Sequence, residues 1–253
     1  MDTDRKFPTE VIDLPSKGWF YDPDSPLASG QVELKYMTAR EEDILTSLNL
    51  IQKGVVLDRL LKAVVVTPKV NVDDLLVGDK NGILLASRIL AYGKDYPSSV
   101  ACRKCSVVNA VVVDLTALDE KDVAEPEERG KNEFEFVLPT IKKTVVFRAL
   151  THGDDDKITA EIEAQCKISG DIEYTQSTRL KFMIMSVDGD ATEAVVRNFV
   201  DNELISRDAR ALRQEYARVV PDVDLTFDFT CNDCKDQRRI SVPLGIDFFW
   251  PIV

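Results

Sequence analysis

Hydrophobic residues recur along this chain in distinct rhythms, and each rhythm predicts a different kind of element. From Thr38 the rhythm is helical: Ile44, Leu45, Leu48 and Ile51 return near every 3.6 residues, and after Gly54 the set Val56, Leu57, Leu60, Leu61 and Val64 restarts it before Pro68. Thr38-Ala39-Arg40-Glu41 has the form of a capping box, so a helix is predicted to start there. Ile83, Leu84, Ile89 and Leu90 predict a further helix over 79–92, stopped by Gly93. Residues 36–97 therefore read as a small helical unit.

Beyond it the rhythm changes. Val107-Val108-Asn109-Ala110-Val111-Val112-Val113 is rich in β-branched residues and predicts a strand, residues 118–131 are charged and loop-like, and 134–138 and 144–150 predict two strands around a turn at Pro139. The helical period then returns over 154–168, 174–187, 191–201 and 207–219, with start signals at Asp190/Glu193 and at Ser206. From Val223 the pattern alternates, with Val223, Leu225, Phe227 and Phe229 on one face, as a half-buried strand requires. The first 35 residues carry Pro8, Pro15, Pro23 and Pro26 with Gly18 and Gly30 and hold no helical period, which predicts an extended arm. Its Val11–Tyr21 stretch is apolar yet too short for a core of its own, so it must dock on the chain's own body or on a partner.

Composition narrows the functional classes. The chain has 253 residues, 44% hydrophobic and 30% charged, the balance of a folded globular protein. Asp and Glu exceed Lys and Arg by 44 to 32, and the net charge of −12 argues against general attraction to nucleic acid. No apolar run approaches the roughly 18 residues of a membrane span, and Met1–Lys6 is followed by Pro8 and Glu10 rather than the apolar core of a signal peptide. A soluble protein of a reducing compartment is expected, in which clustered thiols are more often metal ligands than disulfides.

Four of the five cysteines form two knuckles, Cys102-Arg103-Lys104-Cys105 and Cys231-Asn232-Asp233-Cys234. Two-residue spacing lets a pair of thiolates reach one tetrahedral ion from a tight turn, and two such turns close a four-cysteine site. Strand-like segments follow both pairs, Val107–Leu115 and Arg239–Leu244, as in zinc ribbons. One structural Zn²⁺ per chain, held by Cys102, Cys105, Cys231 and Cys234, is the favoured reading. Two independent core pairs and a redox pair are the alternatives, the latter lacking a thioredoxin-like βαβ setting. The fifth, Cys166, lies in a helical stretch and reads as a packed free thiol.

No catalytic constellation accompanies the knuckles. With four protein ligands, no coordination position stays open for chemistry. His152 is the single histidine, and beside Gly153 at a helix start it reads as structural. Gly153–Lys157 and Val187–Asp190 lack the alternating ligands of a calcium loop and read as caps and solvated charge, while Gly78 and Gly82 lack the Gly-Lys-Ser/Thr of a P-loop. Arg103, Lys104, Arg238 and Arg239 could mimic a nucleic-acid finger, but compensating a thiolate-rich centre is the simpler reason for them. A non-enzymatic protein is expected.

The opening Phe7–Gly18, the stretch Lys35-Tyr36-Met37-Thr38-Ala39-Arg40-Glu41-Glu42-Asp43-Ile44-Leu45-Thr46 and the terminal Asp247-Phe248-Phe249-Trp250-Pro251 resemble the baseplate hub subunit family of T4-like contractile-tailed bacteriophages, in its marine and cyanophage form. The resemblance implies a structural part in the baseplate hub without catalysis, partners among other tail and baseplate proteins, and a place in the host cytoplasm during assembly and in the virion tail if the chain is retained. It leaves open an assembly chaperone absent from the virion, and a zinc-ribbon nucleic-acid-binding protein is the weaker alternative.

The expected fold is α+β: an extended arm over 1–35, a helical unit over 36–97, a zinc-ribbon-like subdomain made of 98–118 plus 222–253, and an inserted strand-then-helix module over 133–221. Both tryptophans lie near the ends, in Trp19-Phe20-Tyr21 and Phe248-Phe249-Trp250. Partner contact is expected of Trp19, Phe20 and Tyr21, and docking on the body of the C-terminal set.

Overall fold

In a computed structural model, which describes residues 7–170 and 173–249, the chain is α+β, with helices set among small antiparallel sheets. Strand β1 (Thr9–Asp13) pairs with β2 (Gln31–Lys35) from Thr9↔Lys35 to Asp13↔Gln31. The expected free arm is therefore, over its described residues, a hairpin with a long internal loop. That loop buries Leu14, Phe20, Tyr21 and Leu27, so its apolar side chains fill the main core instead of facing solvent.

Helices α1 (Ala39–Thr46), α2 (Leu48–Gln52) and α3 (Val56–Val64) follow, and the capping box forms as its sequence requires: Glu41 Oε2 accepts from the Thr38 amide at 2.9 Å. Helix α4 (Val77–Tyr92) is the central strut. It presents Ile83 and Leu84 to the core, and its glycines permit close approach: a Cβ on Gly78 would lie 1.9 Å from the Pro221 carbonyl oxygen, and one on Gly82 would lie 2.9 Å from Pro15. Packing, not phosphate binding, explains both. Buried Arg88 donates to the Phe248 carbonyl at 3.1 Å and to that of Gly93, tying the C-terminal segment to α4.

Two hairpins carry the cysteines. β3 (Asp95–Ala101) pairs with β4 (Val108–Asp114), and β8 (Thr226–Thr230) with β9 (Gln237–Ser241). Between them in sequence lies a module with a core of its own. In it β5 (Phe134–Val137), β6 (Thr144–Phe147) and β7 (Ile184–Val187) form an antiparallel sheet in the order β5-β6-β7, packed with α5 (His152–Ser169), α6 (Thr175–Met183), α7 (Glu193–Asn198) and α8 (Ser206–Val219). The helix expected over 174–187 thus ends at Met183, because Ile184 and Val187 bury themselves better as a strand beside β6. Asp190 does not cap α7 through Glu193 either; it accepts from the Thr192 amide in the preceding turn. Buried Asp208 holds the Pro139 turn by accepting from the Thr140 and Ile141 amides, at 2.9 and 3.0 Å.

The module leaves and returns at one place. The Lys121 amide donates to the Asp222 carbonyl and the Asp224 amide to that of Asp119, so the segment after β4 lies against the segment before β8. The main core runs from Leu14 through α3 and α4 to Tyr96, Leu115, Val223 and Phe248, and draws on both ends of the described chain.

Candidate metal centre

Each hairpin turns through its cysteines in the same way. In the first, the Ser106 amide donates to the Cys102 carbonyl and the Cys102 amide to that of Val107; in the second, Lys235 and Cys231 donate to Cys231 and Asp236. The residue after each second cysteine is left-handed, Ser106 at φ 61° and Lys235 at φ 57°. This local geometry aims both thiols of a knuckle to one side, and the hairpins face each other over Val100 and Phe229.

All four sulfurs lie within 4.8 Å of one another. The closest approaches run between knuckles, Cys102 Sγ to Cys234 Sγ and Cys105 Sγ to Cys231 Sγ, each 3.6 Å. A tetrahedral ion with metal–sulfur bonds of about 2.3 Å requires sulfur–sulfur edges of about 3.8 Å. The chain brings its thiols to that spacing, and the expectation of two separate core pairs does not describe it.

The electrostatics suit a cation. The Cys105 and Lys104 amides hold the Cys102 thiol below its usual value, and those of Cys234 and Asp233 draw Cys231 down to about 6. The Val107 amide pulls Cys105 the same way, but burial and the neighbouring thiols push it up to about 12; Cys234 is raised as well, against the pull of the Asp236 amide. Four thiols this close cannot all ionise without a positive charge among them.

Asn109 is the residue that sequence reading missed. It is buried on β4 between the knuckles, with Oδ1 accepting from the Asn232 amide at 2.8 Å. Its Nδ2 donates to the Val107 carbonyl at 3.0 Å and approaches Cys231 Sγ at 3.7 Å. A lone amide in a run of valines and an alanine was the available signal. Of the basic residues nearby, Arg238 donates to the Ala101 carbonyl at 2.7 Å and Arg239 to Asp224 at 2.9 Å, whereas Arg103 and Lys104 are exposed.

The other candidate residues fall elsewhere. Cys166 is half-buried on α5, outside the four-sulfur cluster. His152 is buried with Nε2 3.4 Å from Asp58 Oδ1, near Asp73 and Asp156. The Lys62 ammonium already sits 2.7 Å from Asp58 and 3.3 Å from Asp73, so this group reads as an ion-pair network joining α3 to α5. Thr151 and Asp154 form a capping box on α5, and Arg148 clamps Asp154 with two hydrogen bonds, which accounts for the acidic run there.

Phe20 and Tyr21 are buried in the chain's own core, which corrects the expectation that they reach a partner. Tyr21 donates to Asp79 and accepts from the Leu76 amide, and Ser16 gives Asp79 two more hydrogen bonds, from its amide at 2.8 Å and its hydroxyl at 2.7 Å. Trp19 remains half-exposed, with Lys17 Nζ 5.0 Å and Arg129 Cζ 5.8 Å from its ring centre. Phe248 and Phe249 dock on the body, as expected, while Trp250 lies outside the described residues. Among the described residues no helix is long and apolar enough to cross a membrane.

No curated protein and no solved structure matches the chain. A family model described as T4 bacteriophage base plate protein matches residues 11–250, a span that includes both hairpins and all four clustered cysteines. With nearly its whole length matched, the chain belongs to the T4 bacteriophage base plate protein family.

Proposed function

We propose that this chain is a non-enzymatic structural component of the baseplate hub, acting through contacts with other tail proteins and stabilised by one Zn²⁺ bound to Cys102, Cys105, Cys231 and Cys234. The observation that carries this reading is the set of four sulfurs at tetrahedral spacing in a base plate family member. Four thiolates are the donor set that structural zinc prefers, and they leave no open position for a substrate. Zinc would join hairpins drawn from distant parts of the chain, so its binding free energy would add to folding. Trp19, the half-exposed member of its aromatic triplet, is the residue best placed to contact a neighbour.

Metal analysis of protein never exposed to chelator tests the zinc reading. One equivalent is expected, lowered by Cys102→Ser or Cys234→Ser and unchanged by Cys166→Ser; no zinc, or two equivalents, would overturn it. Proteomics of purified tail particles tests the structural role. Absence from particles would instead favour an assembly chaperone acting in the host cytoplasm.

A further inference from the structure

We infer that Asn109 is a positioning residue for the metal centre: it locks the second knuckle to β4 and donates to one of the four ligand sulfurs, and so sets how tightly the centre holds its ion. This rests on the metal reading above and deepens it.

The two knuckles are alike in backbone, each closed by the same pair of amide-to-carbonyl hydrogen bonds and the same left-handed residue. They differ in how they are fastened to each other. Among the described residues, and apart from the cysteines themselves, Asn109 is the side chain whose hydrogen bonds reach both: Nδ2 anchors on the Val107 carbonyl in the first, while Oδ1 takes the Asn232 amide inside the second. Such a bridge spans the long insertion without needing the metal, and holds Cys231 at its place relative to Cys105. Only about 3% of its surface is exposed, so little water competes for these bonds.

The amide has a second effect. Metal-bound thiolates in a four-cysteine site carry more negative charge than the ion neutralises, and N–H donors relieve the excess. Backbone amides serve this end locally, as the Lys104 amide does toward Cys102 Sγ at 3.4 Å. At Cys231 a side chain from the opposite hairpin adds to them, at 3.7 Å. Hydrogen-bonding partners one shell out from a metal typically change affinity 10- to 100-fold when removed. That size is expected here.

Two variants separate the contributions. Asn109→Leu removes acceptor and donor together, whereas Asn109→Asp keeps an oxygen for the Asn232 amide and places a second oxygen beside Cys231 where the donor stood. Zinc release would be followed by competition with a chromogenic chelator, alongside the thiolate-to-metal charge-transfer band of the cobalt-substituted protein. Both variants are expected to bind one equivalent under excess zinc but to release it about 10- to 100-fold faster, with a displaced cobalt band. Should Asn109→Leu fail to fold, Asn109→Asp decides alone. A melting temperature that falls while release rate and cobalt spectrum stay at wild-type values would overturn the inference, leaving Asn109 a packing residue. Wild-type protein without metal would overturn the zinc reading and this one together, so the two failures are distinguishable.

Discussion

Replacing Tyr21 with phenylalanine removes one oxygen atom, strands the Leu76 amide and takes one of three donors from Asp79. The hydroxyl donates to Asp79, a fully buried carboxylate, and accepts from the amide of Leu76, itself almost entirely buried. Leaving a buried amide unpaired costs about 1–3 kcal/mol, and a hydrogen bond to an ionised partner contributes about 1.5–3 kcal/mol. The two losses share one atom and overlap, so a net destabilisation of about 3 kcal/mol is expected. For a chain of this length that corresponds to a fall in Tm of roughly 6–12 °C. Had the aromatic triplet served only a partner, the isolated Tyr21→Phe protein would melt like wild type. A shift within about 1 °C would refute the core role of Tyr21.

The same network makes the loss depend on pH. Burial raises the Asp79 carboxyl to about 6 from an ordinary 3.8, against the pull of the Tyr21 and Ser16 donors. A folded-state value above the unfolded one means that the folded protein binds this proton more tightly. Its stabilising contribution is therefore complete below about 3.8 and is lost as pH rises through about 6. At about 1.4 kcal/mol per pH unit the wild-type protein forgoes on the order of 3 kcal/mol at this site above about pH 7. The Tyr21 donor matters most when Asp79 is ionised. The Tyr21→Phe deficit should accordingly be larger at about pH 8 than at about pH 5; equal deficits would show that the pairing with Asp79 is not what was lost.

Three further outcomes are expected. Gly78→Ala should destabilise by about 3 kcal/mol in denaturant titration although alanine is the better helix former, because the added methyl meets the Pro221 backbone rather than a side chain that can turn aside. At the left-handed Ser106, glycine should raise stability by about 0.5 kcal/mol and valine should lower it by about 2 kcal/mol; a reversed order in thermal melts would contradict the knuckle geometry. Deleting residues 1–30 should abolish the cooperative melt, since burial of Leu14, Phe20, Tyr21 and Leu27 contributes on the order of 8 kcal/mol, comparable with the whole stability of a typical domain; a truncated chain melting like wild type would restore the idea of a free arm.

What the sequence disclosed follows from the range of the interactions involved. The Cys-x-x-Cys spacing, the capping box at Thr38 and the periodic apolar sets of α1 and α3 are local, so they can be read from a few consecutive residues. Strand β3 was hidden because Asp95-Tyr96-Pro97-Ser98-Ser99 offers little apolar alternation and takes its structure from pairing with β4. The β1–β2 hairpin lacks a two-residue turn signature, and its loop is fixed by Ser16 and Tyr21 reaching Asp79 from far along the chain. β7 looked helical because a short apolar run after a helix has no period of its own; the open edge of β6 decides it. At the candidate metal centre the four cysteines that cluster were legible and Asn109 was not, since its partners Asn232 and Cys231 lie beyond the insertion.

The insertion also explains how one site can draw on such distant segments. Closing a loop costs entropy that grows only slowly with length, so the greater demand is that the inserted residues begin and end at neighbouring points. They do: Asp119–Lys121 and Asp222–Asp224 are bonded to each other, and the module between them fills a core separate from the main one. Viewed from the hairpins, the chain behaves as if β4 passed almost directly into β8. Two-stranded hairpins are marginal alone, and the cluster beneath these two buries only Val100, Cys102, Phe229 and Cys231 among the described residues. The first hairpin also lends Tyr96 and Val113 to the main core, but at the cysteine end little apolar surface is buried to hold the two hairpins together. The Asn109 bridge and the Arg238 bond to the Ala101 carbonyl cross-link the hairpins there, and under the zinc reading proposed above a bound ion would add the link that this small core lacks, at the point where the four thiols meet.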